Sequence, residues 1–139
     1  MTNTPPRWLP WVSLLFLVWN LFGIAAFASQ WNMSADDIAK LPDVQQRMWS
    51  GMGPIAWGAY AVAVLSGTAG AIALLMKKKW AVLAFFVGLA ALIVQFSNPI
   101  GFALGAGELP MIIFPLFIIA VAVLELFLAR HWKNRGWLA

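Results

Sequence analysis

The stretch WLPWVSLLFLVWNLFGIAAFASQ, residues 8–30, decides the fold. Most of its side chains belong to Leu, Phe, Val, Ile and Ala, and it has the roughly 20 residues that an α-helix needs to cross a bilayer. Asn20 places a side-chain amide near the middle of this run. Residues 26–28, Ala-Phe-Ala, imitate a signal-peptide cleavage site, but the run is longer than a usual signal core. We therefore predict that it is retained as a first transmembrane helix.

Three further apolar runs, residues 54–76, 80–101 and 111–129, have a similar length. Lipid offers the backbone no hydrogen-bond partners, and uninterrupted apolar runs without period-two alternation exclude a membrane barrel. The whole chain of 139 residues is 63% hydrophobic and 10% charged, with a mean hydropathy of +0.83, whereas about a quarter of the residues in soluble domains are charged. We predict a single all-α domain, residues 1–139, that forms an integral membrane bundle of four transmembrane helices.

The charges predict the orientation of this bundle. One side would carry seven basic residues: Arg7, Lys77, Lys78, Lys79, Arg130, Lys133 and Arg135. The other side would carry four acids with two bases: Asp36, Asp37, Asp43, Glu108, Lys40 and Arg47. The positive-inside rule then places both termini in the cytoplasm and argues against insertion in two orientations. The basic side is expected to meet anionic lipid headgroups, and nucleic acid is not an expected partner.

Tryptophans are expected at both edges of the bilayer. The side with the termini would carry Trp8, Trp11, Trp80, Trp132 and Trp137, and the opposite side Trp31, Trp49 and Trp57. This arrangement is typical of an interfacial aromatic belt, while an aromatic cage for a cation or a stacking surface for a sugar stays an alternative. Trp19 differs because it would lie in mid-membrane beside Asn20.

Residues 31–53 form the longest polar segment and are expected to lie at the outer face. Ser34 and Asp37 have the spacing of a capping box, Pro42 interrupts any helix that begins there, and Asp43 offers a second start. We predict a short, broken interfacial helix, which serves either as a connector or as a lid over a ligand. Residues 97–110 are rich in Gly and Pro, so we expect a bent or re-entrant segment there.

Small residues recur every four positions in the second span, at Ala59, Ala63, Gly67 and Ala71. Such a stripe allows another helix backbone to approach closely. The pattern does not distinguish packing inside one subunit from contact between subunits.

Polar side chains within the spans are candidate site residues. They are Asn20, Gln95, Asn98 and Glu125. Asn20 and Gln95 can hydrogen-bond a neighbouring helix or a solute, and each is the expected counterpart of the other. Glu125 lies about 7.5 Å along the helix from Arg130, so we expect it to pair with a base at the cytoplasmic side rather than to couple protons.

Signals for catalysis are absent from the sequence. It has no cysteine and one histidine, His131, and no nucleophile near a base, metal-ligand cluster or phosphate-binding loop. We predict no enzyme activity, no catalytic residue, no metal and no cofactor.

The order of several short motifs resembles a group of small bacterial four-helix membrane proteins that often carry the label "sugar transporter". The motifs are PPRW at 5–8, WN-x-x-G at 19–23, MSADDIAKLP at 33–42, the basic triplet that runs into Trp80 and Ala81, and Arg135 to Leu138. The resemblance covers nearly the whole chain. It implies a multi-pass fold in the bacterial inner membrane and a role in solute transport, and it assigns no role to an individual residue.

Three functions are compatible with these features. The first is a transporter or channel-like protein for a small polar solute, acting as a homo-oligomer. The second is an accessory or scaffold subunit of a larger membrane complex, and the third is a membrane sensor that uses the segment around residues 34–46. A cavity containing Asn20 and Gln95 within one subunit would favour the first function, whereas amides fully occupied by neighbouring groups would favour the second.

Overall fold

The computed structural model describes residues 4–51, 53–105, 107 and 109–139, apart from the side chains of residues 44, 98, 102 and 109. Its elements are α1 (Leu9–Trp31), α2 (Ala35–Ala39), α3 (Asp43–Ser50), α4 (Pro54–Leu75), α5 (Ala81–Gly105), a 3-10 turn (Leu109–Ile112) and α6 (Ile113–Asn134). Within this part of the chain there is no strand. Four helices there, α1, α4, α5 and α6 with its preceding turn, are long and apolar enough to cross a membrane. The prediction of an all-helical chain with four candidate spans is confirmed.

Local sequence sets the helix starts. Pro10 and Pro54 lie in the first turns of α1 and α4, where a missing backbone N–H has no cost. The predicted capping box caps the N-terminus of α2. The Asp37 backbone N–H donates to the Ser34 hydroxyl at 3.2 Å, and the Ser34 N–H donates to the Asp37 carboxylate at 3.1 Å. The segment between α1 and α4 is therefore a broken pair of short helices, as its sequence predicts.

Two helices extend beyond the apolar stretches of sequence that predict them. α5 continues through Pro99 to Gly105, so residues 97–105 remain helical and do not form the re-entrant segment that we considered. α6 continues to Asn134, beyond the predicted limit at residue 129. Lys and Arg side chains at a helix end reach water while the backbone stays hydrogen-bonded, so hydropathy alone ends a helix too early.

The packing order of the four long helices is α1, α4, α5, α6. α4 lies between α1 and α5, and α5 packs against α6, whereas α1 and α6 are not among the closely packed pairs. On α4, Ala63, Gly67 and Ala71 of the small-residue stripe are buried and Ala59 is half-buried. A Cβ on Gly88 of α5 would lie 3.6 Å from the Ala63 carbonyl oxygen. The stripe thus packs inside the subunit.

The apolar core is concentrated at one end of the bundle, called here the basic end, where Lys77–Lys79 and Arg130–Arg135 lie. Leu9, Leu74 and Trp132 are fully buried there. The chain after α6 turns back onto the loop between α4 and α5: Lys79 N donates to the Ala139 carbonyl at 2.9 Å, and Ala139 N donates to the Lys77 carbonyl at 2.6 Å. Residue 139 is therefore hydrogen-bonded to the loop between α4 and α5.

Aromatic rings gather at the opposite end, called here the α2–α3 end. The aromatic cluster consists of Phe27 and Trp31 of α1, Trp49 of α3, and Trp57 and Tyr60 of α4. Trp49 and Trp31 each meet Trp57 edge to face, with ring centroids 5.3 Å apart. Such contacts add roughly 0.5 to 1.5 kcal/mol each beyond the area that they bury. The cluster attaches α3 to the ends of α1 and α4.

Candidate functional site

A cavity of about 320 Å³ lies among the four long helices. Its walls are Trp19, Asn20, Phe22, Gly23, Ala26 and Gln30 of α1; Tyr60, Ala63, Val64 and Gly67 of α4; Phe85, Gly88, Leu89, Leu92, Gln95 and Phe96 of α5; and Phe114, Ile118, Ala122 and Glu125 of α6. Most of these side chains are apolar, and a few polar groups project among them, as in many small-molecule sites. The cavity lies within one subunit and contains Asn20, Gln95 and Glu125. The side chain of Asn98 and all of Glu108 lie outside the described residues.

Asn20 joins α1 to α6 across the cavity. Its Nδ2 donates to Glu125 Oε2 at 3.0 Å and to the Phe16 carbonyl at 2.8 Å. An amide nitrogen carries two hydrogens, so both are used. The sequence predicted Gln95 as the counterpart of Asn20. In the structure the counterpart is Glu125.

Glu125 is nearly fully buried, with 3% of its surface exposed. Its hydrogen-bond partner in the described chain is Asn20, so the predicted ion pair with a base of the basic end is wrong. The reason is the helical repeat: at about 3.6 residues per turn, Arg130 lies about 140° around α6 from Glu125. Glu125 therefore faces the interior of the bundle while Arg130 is exposed.

Gly67 makes room for the Asn20 amide. A Cβ on Gly67 would collide with Asn20 Oδ1 and would lie 2.9 Å from Asn20 Cγ. Real Cβ atoms do not approach so closely, so no larger residue fits here unless Asn20 moves. The stripe on α4 therefore does more than pack two backbones, because one of its members seats the polar side chain that reaches Glu125.

Gln95 occupies a second polar level of the cavity. It follows Gly88, which packs beside Gly67, by seven residues, or about 10.5 Å of helix towards the α2–α3 end. Gln95 is 5% exposed, and its Oε1 has no hydrogen-bond partner among the described residues. A buried oxygen left without a donor costs roughly 1 to 3 kcal/mol.

Between α1 and α6 the cavity is bounded by side chains, because the backbones of these two helices do not pack closely. Phe22 of α1 and Phe114 of α6 line the cavity, and 70% and 65% of their surfaces are exposed. Trp19 meets Phe117 edge to face between the same helices, with ring centroids 5.7 Å apart.

Two features of this site escaped sequence reasoning. Tyr60 lines the cavity, and its position seven residues before Gly67 was a usable signal, because residues seven apart share a helix face. The Asn20–Glu125 pair had no such signal, since it depends on how α1 and α6 are rotated about their own axes.

Among the described residues, no group of three or more His, Cys, Asp or Glu side chains could hold a metal ion. No protein-family model, curated protein or solved structure matches the chain. The function is therefore inferred from the cavity itself.

Proposed function

We propose that this protein is a transporter or channel-like protein that carries a small solute, and that the cavity is its solute site. The observation that supports the proposal best is the cavity itself, which one subunit forms and which has Asn20, Gln95 and Glu125 in its wall. A largely apolar cavity with a few polar groups is typical of a small-molecule site. No chemical step is assigned to the cavity, and the proposed role is not catalytic.

The proposed setting is the bacterial inner membrane, with both termini in the cytoplasm and the basic end against anionic headgroups. The grouping of Lys77–Lys79 with Arg130, Lys133 and Arg135 at one end of the bundle supports this orientation. The resemblance to small bacterial membrane proteins labelled as sugar transporters supports the location and the transport role. Homo-oligomerisation stays a prediction, and the solute site does not require it because one subunit forms the cavity.

The scaffold alternative rests on small-residue stripes as docking faces and on side-chain amides as contacts between helices. The stripe on α4 packs within the subunit, because Ala63, Gly67 and Ala71 are buried there, so it does not favour this alternative. The sensor alternative keeps a physical basis in the aromatic cluster, which links α3 to the helices that wall the cavity. A sensor could use the same solute site. It would differ from a transporter because binding of the solute would produce a signal rather than transport.

Flux through liposomes tests the proposal. Purified protein would be reconstituted and assayed with a polyol, a hexose, an amino acid and an arylalkylamine, with protein-free liposomes as the reference. We expect flux of at least one solute, and we expect Ala122→Phe to abolish it because the new ring fills the cavity. Ala120→Phe makes the same change two residues away at an exposed position, so it should leave the flux intact.

Two results would contradict the proposal. One is the absence of protein-dependent flux for the whole panel although the protein is folded and inserted. The other is flux that Ala122→Phe and Ala120→Phe affect equally, because this would place the path outside the cavity.

A further inference from the structure

The groups that Asn20 and ionised Glu125 leave free for a ligand are hydrogen-bond acceptors. Both hydrogens of Asn20 Nδ2 are already given to Phe16 and Glu125, which leaves Asn20 only its carbonyl oxygen. Glu125 receives that one donor at Oε2, and no protein donor reaches its other oxygen within the described chain. A ligand that binds to the ionised form must therefore bring its own N–H or O–H groups.

The carboxylate of Glu125 favours a positively charged ligand at this group of acceptors. The cavity walls contain no Lys, Arg or His among the described residues, so the protein itself supplies no cation there. Burying a carboxylate without a cation is costly, and a charged donor makes a shorter and stronger hydrogen bond to it than a neutral donor does. A positively charged ligand would supply the missing partner.

Aromatic side chains line the same cavity. Trp19 lies next to Asn20 in α1, and Phe22 and Phe114 come from α1 and α6. Faces of aromatic rings attract cations, most strongly where water is excluded. The backbones of α1 and α6 do not pack closely, so a ligand that partitions into lipid would enter by displacing the side chains between them.

We propose that the ligand is an aromatic monocation with N–H donors, such as a protonated arylalkylamine, which enters between α1 and α6 and places its ammonium group at Glu125. The inference rests on the proposed function, because it takes the cavity as the solute site and names the class of solute. The apolar body would extend along the cavity towards Gln95, which lines its other end.

A matched pair of probes tests the charge preference. Phenylbutylammonium and phenylbutanol share an apolar body and differ in the charge of the donor group. Their binding would be measured by calorimetry at neutral pH in phosphatidylcholine nanodiscs, with empty nanodiscs subtracted. We expect the wild-type protein to bind the ammonium compound about tenfold or more tightly than the alcohol, because the ion pair and cation–π contacts form only with the cation.

Glu125→Gln should remove this preference, because it weakens binding of the ammonium compound far more than binding of the alcohol, and the remaining binding of the alcohol shows that the variant keeps its cavity. Asp36→Asn is the matched control, since it removes one carboxylate at an exposed position of α2 outside the cavity. It should preserve the preference for the ammonium compound.

The outcomes separate this inference from the proposed function. Equal affinity for the two probes, or a preference for the ammonium compound that survives Glu125→Gln, would overturn the cationic ligand class while loss of binding in Ala122→Phe upholds the cavity as the site. Binding that persists unchanged in Ala122→Phe would contradict both proposals. No binding of either probe would overturn the inference, and the flux of other solutes would then decide the proposed function alone.

Discussion

Asn20 is fixed by contacts with three of its neighbours: Phe16 and Glu125 accept its hydrogens, and Gly67 leaves the space that its amide occupies. Gly67→Ala should therefore push the amide away and break the bond to Glu125. We expect a loss of about 1 kcal/mol in unfolding free energy, the size of an interhelical hydrogen bond in a membrane. Unfolding in mixtures of SDS and mild detergent would measure it. Gly58→Ala is the control, because a Cβ there meets nothing within 4 Å.

A double-mutant cycle separates this mechanism from a general effect of the extra methyl group. Once Asn20→Ala has removed the amide, Gly67→Ala should cost less than it does in the wild-type protein, because the collision partner is gone. Additive costs of the two changes would contradict the coupling between Asn20 and Gly67.

The sequence predicts which helices form better than it predicts where each helix ends or how it is rotated about its own axis. The runs 8–30 and 54–76 match α1 and α4 within one residue at each end, because Pro and polar residues border them. α6 exceeds its apolar run because charged side chains do not end a helix. Asn20, Gln95 and Glu125 line one cavity, which the sequence left as one of two alternatives for the amides and did not predict for Glu125. Their pairing depends on helix rotation, which a pattern of apolar residues along α1 and α6 does not fix.

The attachment of α3 offers a test at the level of the helices. Trp49 is the residue of α3 that reaches the ring of Trp57, so Trp49→Ala should loosen α3 from the ends of α1 and α4. We expect faster hydrogen exchange in the backbone amides of α3, with the exchange of α4 and α5 unchanged. Trp11→Ala removes an equally large side chain that is 72% exposed near the start of α1. If both variants raised exchange in α3 equally, the aromatic contact would not be the cause.

We predict the orientation of the whole molecule from its charges, and the prediction can be tested directly because the sequence has no cysteine. Basic residues gather at the end of the bundle that holds the start of α1 and the end of α6, and the positive-inside rule assigns that end to the cytoplasm. Asp36→Cys in α2 and Lys133→Cys near the end of α6 are single, exposed sites at opposite ends. In intact cells whose outer membrane admits the reagent, a maleimide that cannot cross the inner membrane should label Asp36→Cys, whereas Lys133→Cys should react only after lysis. The reverse pattern would place the basic end outside, and labelling of both sites in intact cells would indicate insertion in two orientations, which the grouping of seven basic residues at one end argues against.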